Sequence, residues 1–243
     1  MNYTVCMTIY GKSPYLEDQL ESILNQSIKP SQIIVVEDFS NKSSKDYIEN
    51  FFLTKDVPYK YVANIKNLGP AESFKKALML SDYDLIYFSD QDDLWNKNRV
   101  AETINHHKEH FLVFCNANVF YTDSQESHKL YDEHVLEKIS FSKLLLKNVL
   151  VGATLSINIT GYRNIIENTS FKPMHDWVLA LISNFQNKKI KFVNNELIHY
   201  RRHPNTVTGR LKNSFIKVLL FRIQLINAII SFKIQSFINK SAK

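Results

Sequence analysis

The chain has 243 residues, 44% of them apolar, with only 5 glycines and 6 prolines. That suffices for one large α/β domain with a sizeable core and argues against a disordered chain, a repeat array or a disulfide scaffold. The net charge of +6 is carried by the end of the chain. Six cations follow residue 210 with no Asp or Glu among them, and residues 1–210 balance at 24 of each sign, so no cationic face for nucleic acid is expected.

Periodicity predicts strands at 3–9, 32–36, 59–63, 84–88 and 111–119, with helices between them at about 14–26, 43–53, 70–80 and 97–109. Pro14 and Pro70 stand at helix starts, where a missing N–H is least costly. Residues 33–36 are continuously apolar, as in a strand covered on both faces. This alternation is the pattern of a parallel sheet wound with helices. Residues 120–140 are polar and loop-rich, a helix is expected after Trp177, and 190–200 reads as a strand. No basic leader with an apolar core precedes the first strand. Cys6 and Cys115, both in apolar runs, read as buried thiols, so a cytoplasmic setting is expected.

The most informative segment is Ser89-Asp90-Gln91-Asp92-Asp93-Leu94-Trp95. Three carboxylates in four residues repel one another and gain nothing from a core; a divalent cation between them makes the cluster favourable. The alternative is a solvated turn with an Asp helix cap. Glu37-Asp38 falls at the end of another strand on the same predicted rim. Ligands of wound sheets bind beyond the carboxyl ends of the strands, so two acidic groups there predict a metal–nucleotide crevice.

In order, Glu37-Asp38-Phe39-Ser40, Asn67-Leu68-Gly69-Pro70, the 89–95 run, Gly152-Ala153-Thr154, His175-Asp176-Trp177 and Tyr200-Arg201-Arg202-His203 resemble the family-2 glycosyltransferases. These have the GT-A fold, a Rossmann-like wound mixed sheet flanked by helices. Within them the chain is most similar to the rhamnosyltransferase-like enzymes of bacterial surface polysaccharide synthesis, and the resemblance spans about residues 3–210. It implies that Asp38, Glu37, Asn67, Asp90, Arg201 and Arg202 bind the nucleotide sugar. It also implies that Asp92, with Asp90 and His203, holds Mg²⁺ or Mn²⁺, and that Asp176 is the general base. Gly152, Thr154, Trp177 and Trp95 would line the acceptor or sugar pocket. Phe39 replaces the glycine usual in the family's second motif, and the Gln-x-x-Arg-Trp motif of processive members is absent, which favours transfer of one sugar at a time. The donor implied is a nucleotide-diphosphate sugar and the acceptor a polyprenyl-diphosphate-linked glycan.

Each residue has a plainer reading beside this one. Asp38 and Asp176 would cap helices, His203 would be a loop residue, and Trp95 and Trp177 would pack beside the site. A sugar-phosphate nucleotidyltransferase shares the wound sheet, but usually opens with a glycine-rich loop where this chain has Tyr10-Gly11-Lys12. A non-catalytic membrane scaffold with the same fold is a third reading.

Residues 211–238 read as one helix, making 211–243 a basic amphipathic extension of a 1–210 domain. The longest uncharged apolar-rich segment, Ile223 to Phe232, holds ten residues. About 20 are needed to span a bilayer, so a spanning segment is not expected. Asn213, Lys217, Gln224, Asn227, Ser231 and Gln235 form a polar stripe on a mostly apolar helix. That pattern predicts association with an anionic membrane surface at the inner face of the cytoplasmic membrane, or packing on the domain or a second subunit.

Overall fold

The computed structural model describes residues 1–39, 43–184, 190–204 and 214–241. Its first half follows the predicted alternation. Strands β1 (Thr4–Ile9), β2 (Gln32–Glu37), β3 (Tyr59–Ala63) and β4 (Leu85–Ser89) alternate with helices α1 (Leu16–Leu24), α2 (Lys45–Phe52) and α3 (Pro70–Met79). The four strands pair in parallel in the order β3-β2-β1-β4. Even-numbered side chains Cys6, Ile34, Val36, Ile86 and Phe88 enter one core, and odd-numbered Val5, Met7, Val35 and Tyr87 enter the other. The period of two, apolar on both faces, is what a helix-covered strand requires. Against these faces α1 presents Leu16, Leu20 and Ile23, and α3 presents Ala71, Phe74, Ala77 and Leu78, at the helical spacing.

Past β4 the sheet becomes mixed. The elements are β5 (Leu94–Trp95), α4 (Arg99–Thr103), β6 (Leu112–Tyr121), β7 (Ser127–Lys129), α5 (Phe141–Leu146), β8 (Leu155–Asn158), α6 (Arg163–Glu167), α7 (His175–Ser183), β9 (Lys191–Arg202) and α8 (Phe215–Ser241). The predicted 97–109 helix is α-helical only to Thr103 and continues as a 3₁₀ turn over Ile104–Lys108. Among the described residues the sheet has nine strands, continuing β4-β8-β6-β9-β5, with β7 on the side of β6. The antiparallel strand β8 lies between β4 and β6. Strand β9 runs parallel to β6 and antiparallel to β5. The β6–β9 register shifts at Asn116, whose amide bonds Tyr131 and Asn194. Strand β5, in register Leu94↔His199 and Trp95↔Ile198, carries the end of β9 alongside the acidic loop that precedes it.

Helix α8 packs on the domain, one of the alternatives left open for the extension. Leu225, Ala228 and Phe232 are buried in the same core as Phe74 and Trp177, and the helix packs on α6 and α7. Arg222 donates to the carbonyl of Leu146 and lies over the Trp177 ring. The count of apolar length behind the expectation of no spanning segment is too low. Ile216–Asn239, 24 residues containing an 18-residue window of mean hydropathy 1.4, is long and apolar enough to cross a membrane by length and composition. Counting only uncharged runs missed this, because isolated cations interrupt a run without making the whole helix polar. Residues 205–213, including the predicted start of the extension and Asn213, lie outside the described residues.

If α8 belongs to the core, Phe232→Ala should lower the unfolding free energy by about 3 kcal/mol, as for other buried aromatic truncations. Denaturant melts would read this directly, and an undocked tail would show no change.

Candidate active site

The site forms where the C-terminal ends of β1, β2 and β4 meet the ends of β9 and α7. Its centre is the loop 90–93. Asp90 and Asp92 are partly buried and Asp93 is fully so. The loop is pinned on both sides. Gln91 accepts the Tyr10 N–H at 2.9 Å, and buried Gln19 of α1 donates to Ser89 at 2.6 Å. On the other side Arg201 donates its backbone N–H to Asp93 at 3.0 Å and its Nε to the Asp92 carbonyl at 2.8 Å. The Arg201 guanidinium lies between the rings of Tyr15 and Phe120, at 4.2 and 4.9 Å. Two residues on, His203 Nε2 meets Asp92 Oδ2 at 2.8 Å. The β5–β9 pairing produces these contacts, since stepping back from Leu94 and forward from His199 brings residues 92–93 beside 200–201.

Crowded carboxylates raise one another's proton affinity. Loss of water and the charges of Asp92 and Asp176 push Asp90 up to about 7. Burial, then Asp90 and Asp92, raises Asp93 well above the ordinary carboxylate range, against the Arg201 N–H and the charge of Arg99. Asp93 Oδ2 has no hydrogen-bond partner. The loop therefore carries negative charge that the protein balances only in part.

Asp176 faces this cluster from the first turn of α7. Burial raises it to about 6, while N–H groups of Trp177 and Gly152 and the Asn148 side chain favour the ionised form; the Trp177 N–H lies 2.7 Å away. All nine residues of α7 are buried, so Asp176 is held rigidly. Beneath it His175 packs on Phe74 and Phe88, with ring centroids at 4.2 and 5.1 Å. Neither of its nitrogens has a partner, and burial lowers its pKa to about 3, which keeps it neutral. Gly152 is required there: a Cβ at this position would lie 2.3 Å from His175 Nε2.

A second wall is organised by Asp38, which is 6% exposed. Its carboxylate accepts the Leu68 and Gly69 N–H groups, both at 2.8 Å, and Asn64 Nδ2 at 3.2 Å. It thereby holds the loop ahead of α3, where Gly69 takes φ 79°. Asn67 is exposed on that loop, and its side-chain oxygen accepts the Gly69 N–H at 3.1 Å.

The site thus brings Asp90, Asp92, Asp176, Arg201 and His203 together. Several expected residues sit elsewhere. Glu37, the last residue of β2, is buried, and its carboxylate accepts from Ser44 N–H and Oγ at the start of α2 and from the Tyr61 hydroxyl. Trp95 is buried with Arg99 stacked 3.8 Å above it, and buried Trp177 donates its ring N–H to the Leu144 carbonyl. Thr154 is buried and donates to the Val151 carbonyl at 2.7 Å. These residues and Gly152 shape the wall from behind. Arg202 lies 4.9 Å over the Tyr200 ring. Ser40 lies outside the described residues.

Residues that sequence reasoning missed are Gln19, Asn64, Gln91, Tyr15, His175 and Arg99. Gln19 carried a signal, as a polar residue on the apolar face of α1. Arg99, 1% exposed, donates to the carbonyls of Ala153 and Leu155 at 2.8 and 3.3 Å and so ties the 152–155 turn to Trp95.

The family model for glycosyl transferase family 2 matches residues 4–210. The chain belongs to that family. This decides for a glycosyltransferase and against the nucleotidyltransferase alternative. Among curated proteins this family-2 chain is 24% identical over 234 residues to the dTDP-rhamnosyl transferase RfbG of Shigella flexneri, covering 84% of the chain and 73% of RfbG. It is 23% identical over 216 residues to the Escherichia coli UDP-Glc:alpha-D-GlcNAc-diphosphoundecaprenol beta-1,3-glucosyltransferase WfaP, covering 88% and 82%. Among solved structures, S. aureus TarS 1-349 in complex with UDP-GlcNAc aligns with TM-score 0.67 at 16% identity, over 94% of the chain and 67% of TarS 1-349. The mannosyltransferase PcManGT of Pyrobaculum calidifontis, in complex with GDP-Man and Mn2+, aligns with TM-score 0.62 at 14% identity, over 97% and 64%. The fold is GT-A, as the motifs implied.

The close approach at His175 makes a specific prediction. Gly152→Ala should destabilise the protein by about 2–3 kcal/mol through overpacking. In a His175→Ala background the same substitution should have little effect, giving a large coupling energy in a double-mutant cycle of thermal or denaturant melts.

Proposed function

We propose that the protein transfers one sugar from a nucleotide-diphosphate donor to a hydroxyl of a bacterial surface glycan carried on a polyprenyl diphosphate, with inversion at the anomeric carbon. The observation that carries this reading is the convergence of the Asp92–His203 pair and Asp176 on one rim. The pair suits the diphosphate end of a donor, and the lone buried carboxylate suits an acceptor hydroxyl. The matches to RfbG and WfaP support a sugar-nucleotide donor and a lipid-linked acceptor.

Among the described residues no three His, Cys, Asp or Glu side chains converge as a ready cation cage. The residues present nevertheless fit Mg²⁺ or Mn²⁺. Such ions take one or two protein carboxylates and complete their shell with phosphate oxygens and water, and Mn²⁺ accepts imidazole. Asp92 and His203 would hold the ion, with Asp90 at one remove on the ribose or a bound water. The unbalanced charge of the 90–93 loop is what a cation would offset. Bound there, the ion supplies Lewis-acid stabilisation of the leaving diphosphate.

The protein's own groups perform the remaining work. Arg201, fixed by Tyr15, Phe120 and the loop backbone, adds a permanent positive charge beside the diphosphate. Asp38 orders the loop bearing Asn67 that walls the nucleotide. Asp176 accepts the proton of the attacking hydroxyl as the new bond forms on the face opposite the diphosphate. Base catalysis of this kind contributes ~10²–10⁴-fold. We place the enzyme at the cytoplasmic face of the membrane, with α8 as its contact.

Two experiments test the reading. Purified protein offered uridine-, deoxythymidine- and guanosine-diphosphate sugars should release nucleoside diphosphate from one of them in a divalent-metal-dependent way. Asp92→Asn should reduce that release ~10²-fold or more, and undiminished turnover in this variant would remove the assigned role. The second is a pH profile. Only ionised Asp176 can take a proton, and its pKa is raised to about 6, so kcat/KM should rise with pH through about 6 and level off above it. Asp176→Asn should abolish that limb together with the rate.

A further inference from the structure

Helix α8 carries two apolar faces, and the domain uses one. The inward stripe of Leu225, Ala228 and Phe232 is buried on the domain. On the opposite side Ile216, Leu219, Ile223, Ile230, Ile234 and Phe237 are exposed, from 48% at Ile223 to 73% at Phe237. At 3.6 residues per turn these share one long face. Contiguous exposed apolar surface of this kind marks an interaction site.

Charge selects the occupant. Arg222 and Lys233 lie along one edge of the exposed face and Lys217 along the other, and residues 211–243 contain six cations and no acid. A second copy docking through this face would bring two acid-free basic helices together and repel itself. An anionic lipid surface meets both demands, taking the apolar face into its acyl boundary while Lys217 and Lys233 at the edges reach the headgroups and Arg222 stays on the domain.

The docking stripe also decides the pose. To span, α8 would have to leave α6 and α7, strip Leu225, Ala228 and Phe232 from the core, and carry Arg222 and Lys233 into hydrocarbon. We infer that α8 lies flat on an anionic bilayer while still docked on the domain, its outward face being the membrane seat. Arg222 joins α8 both to Leu146, the 72% exposed end of α5, and to Trp177, the neighbour of Asp176. The seat therefore holds the base-bearing end of α7 close to the lipid surface. This last step rests on the proposed lipid-linked acceptor, which would then be drawn from the bilayer beside α5.

The test uses full-length protein with vesicles of phosphatidylcholine alone or mixed with phosphatidylglycerol. Cosedimentation should be at least ~10-fold stronger with the anionic vesicles. A triple variant, Ile223→Asn, Ile230→Asn and Ile234→Asn, should lose that binding. It should keep its melting temperature and its acceptor-independent release of nucleoside diphosphate. With Ile226, 49% exposed beside the outward face, replaced in an Ile226→Trp variant, lipids brominated near the headgroup should quench the added fluorescence more than lipids brominated near the chain ends. Failure to bind anionic vesicles, equal binding by the triple variant, or preferential deep quenching would overturn the seat. So would a dimer in light scattering that the triple variant abolishes without any vesicle binding. Donor turnover in the same preparations separates the two proposals: turnover without vesicle binding removes the seat alone, and vesicle binding without turnover removes the catalytic reading alone.

Discussion

The local structure around the crevice answers to one constraint, the placement of Asp90, Asp92 and Asp93 at the end of β4. Like charges this close are unfavourable in a fold unless hydrogen bonds, cations or protons offset them. Part of the compensation is visible. The Arg201 N–H bonds Asp93, the Arg201 side chain bonds the Asp92 carbonyl, and His203 meets Asp92. The remainder appears as carboxyl groups that hold their protons to unusually high pH. Sites that sacrifice stability in this way are where function concentrates. The surrounding elements are accordingly stiff: Gln91 is bonded to the end of β1, Ser89 to α1, and the following two residues form a strand against β9.

Three walls converge on that loop, and each uses a different device. Asp38 gathers N–H groups of the 67–69 loop, so a carboxylate makes the backbone turn where Gly69 supplies the positive φ. The end of α7 is set by packing, with His175 wedged between Phe74, Phe88 and Gly152 so that Asp176 is delivered without freedom to move. The end of β9 is set by strand register. Beneath them Arg99 spends a buried positive charge on carbonyls of the 152–155 turn and on the Trp95 ring. That buried charge also lowers the proton affinity of Asp93. It is thus an internal counter-charge below the loop, while Arg201 is one beside it.

The parallel half of the sheet was legible because β1, β2 and β4 are apolar on both faces and the helices between them show a regular stripe. The mixed half was not. Strand β5 is two residues long and too short to have a period, and β8 runs antiparallel between strands that are distant in sequence. The candidate site residues that sequence placed past a strand's end, Asp38, Asp92 and His203, do lie past the ends of β2, β4 and β9. Glu37 is still within β2, where one step along the chain turns a side chain to the other face, and its carboxylate bonds Ser44 and Tyr61. Trp95 and Trp177 belong to the same motifs as site residues, yet being next to a functional residue on a strand or helix directs a side chain away from the crevice. Arg99 was unreadable because nothing in its neighbours marks a cation as buried.

Helix α8 shows the same limit in another form. A helix apolar around most of its circumference is ambiguous from sequence, since a core, a subunit and a bilayer all accept such a surface. Docking removes the ambiguity by halves. Once Leu225, Ala228 and Phe232 are committed to the domain, only the outward face needs a partner, and the cations at its edges restrict which one. Because the inward stripe belongs to the same core as Phe74 and Trp177, anything that fixes the outward face also fixes α7, and through α7 the carboxylate of Asp176. The orientation of the proposed reactive centre relative to whatever α8 rests on is therefore built into the packing of the core and needs no flexible tether.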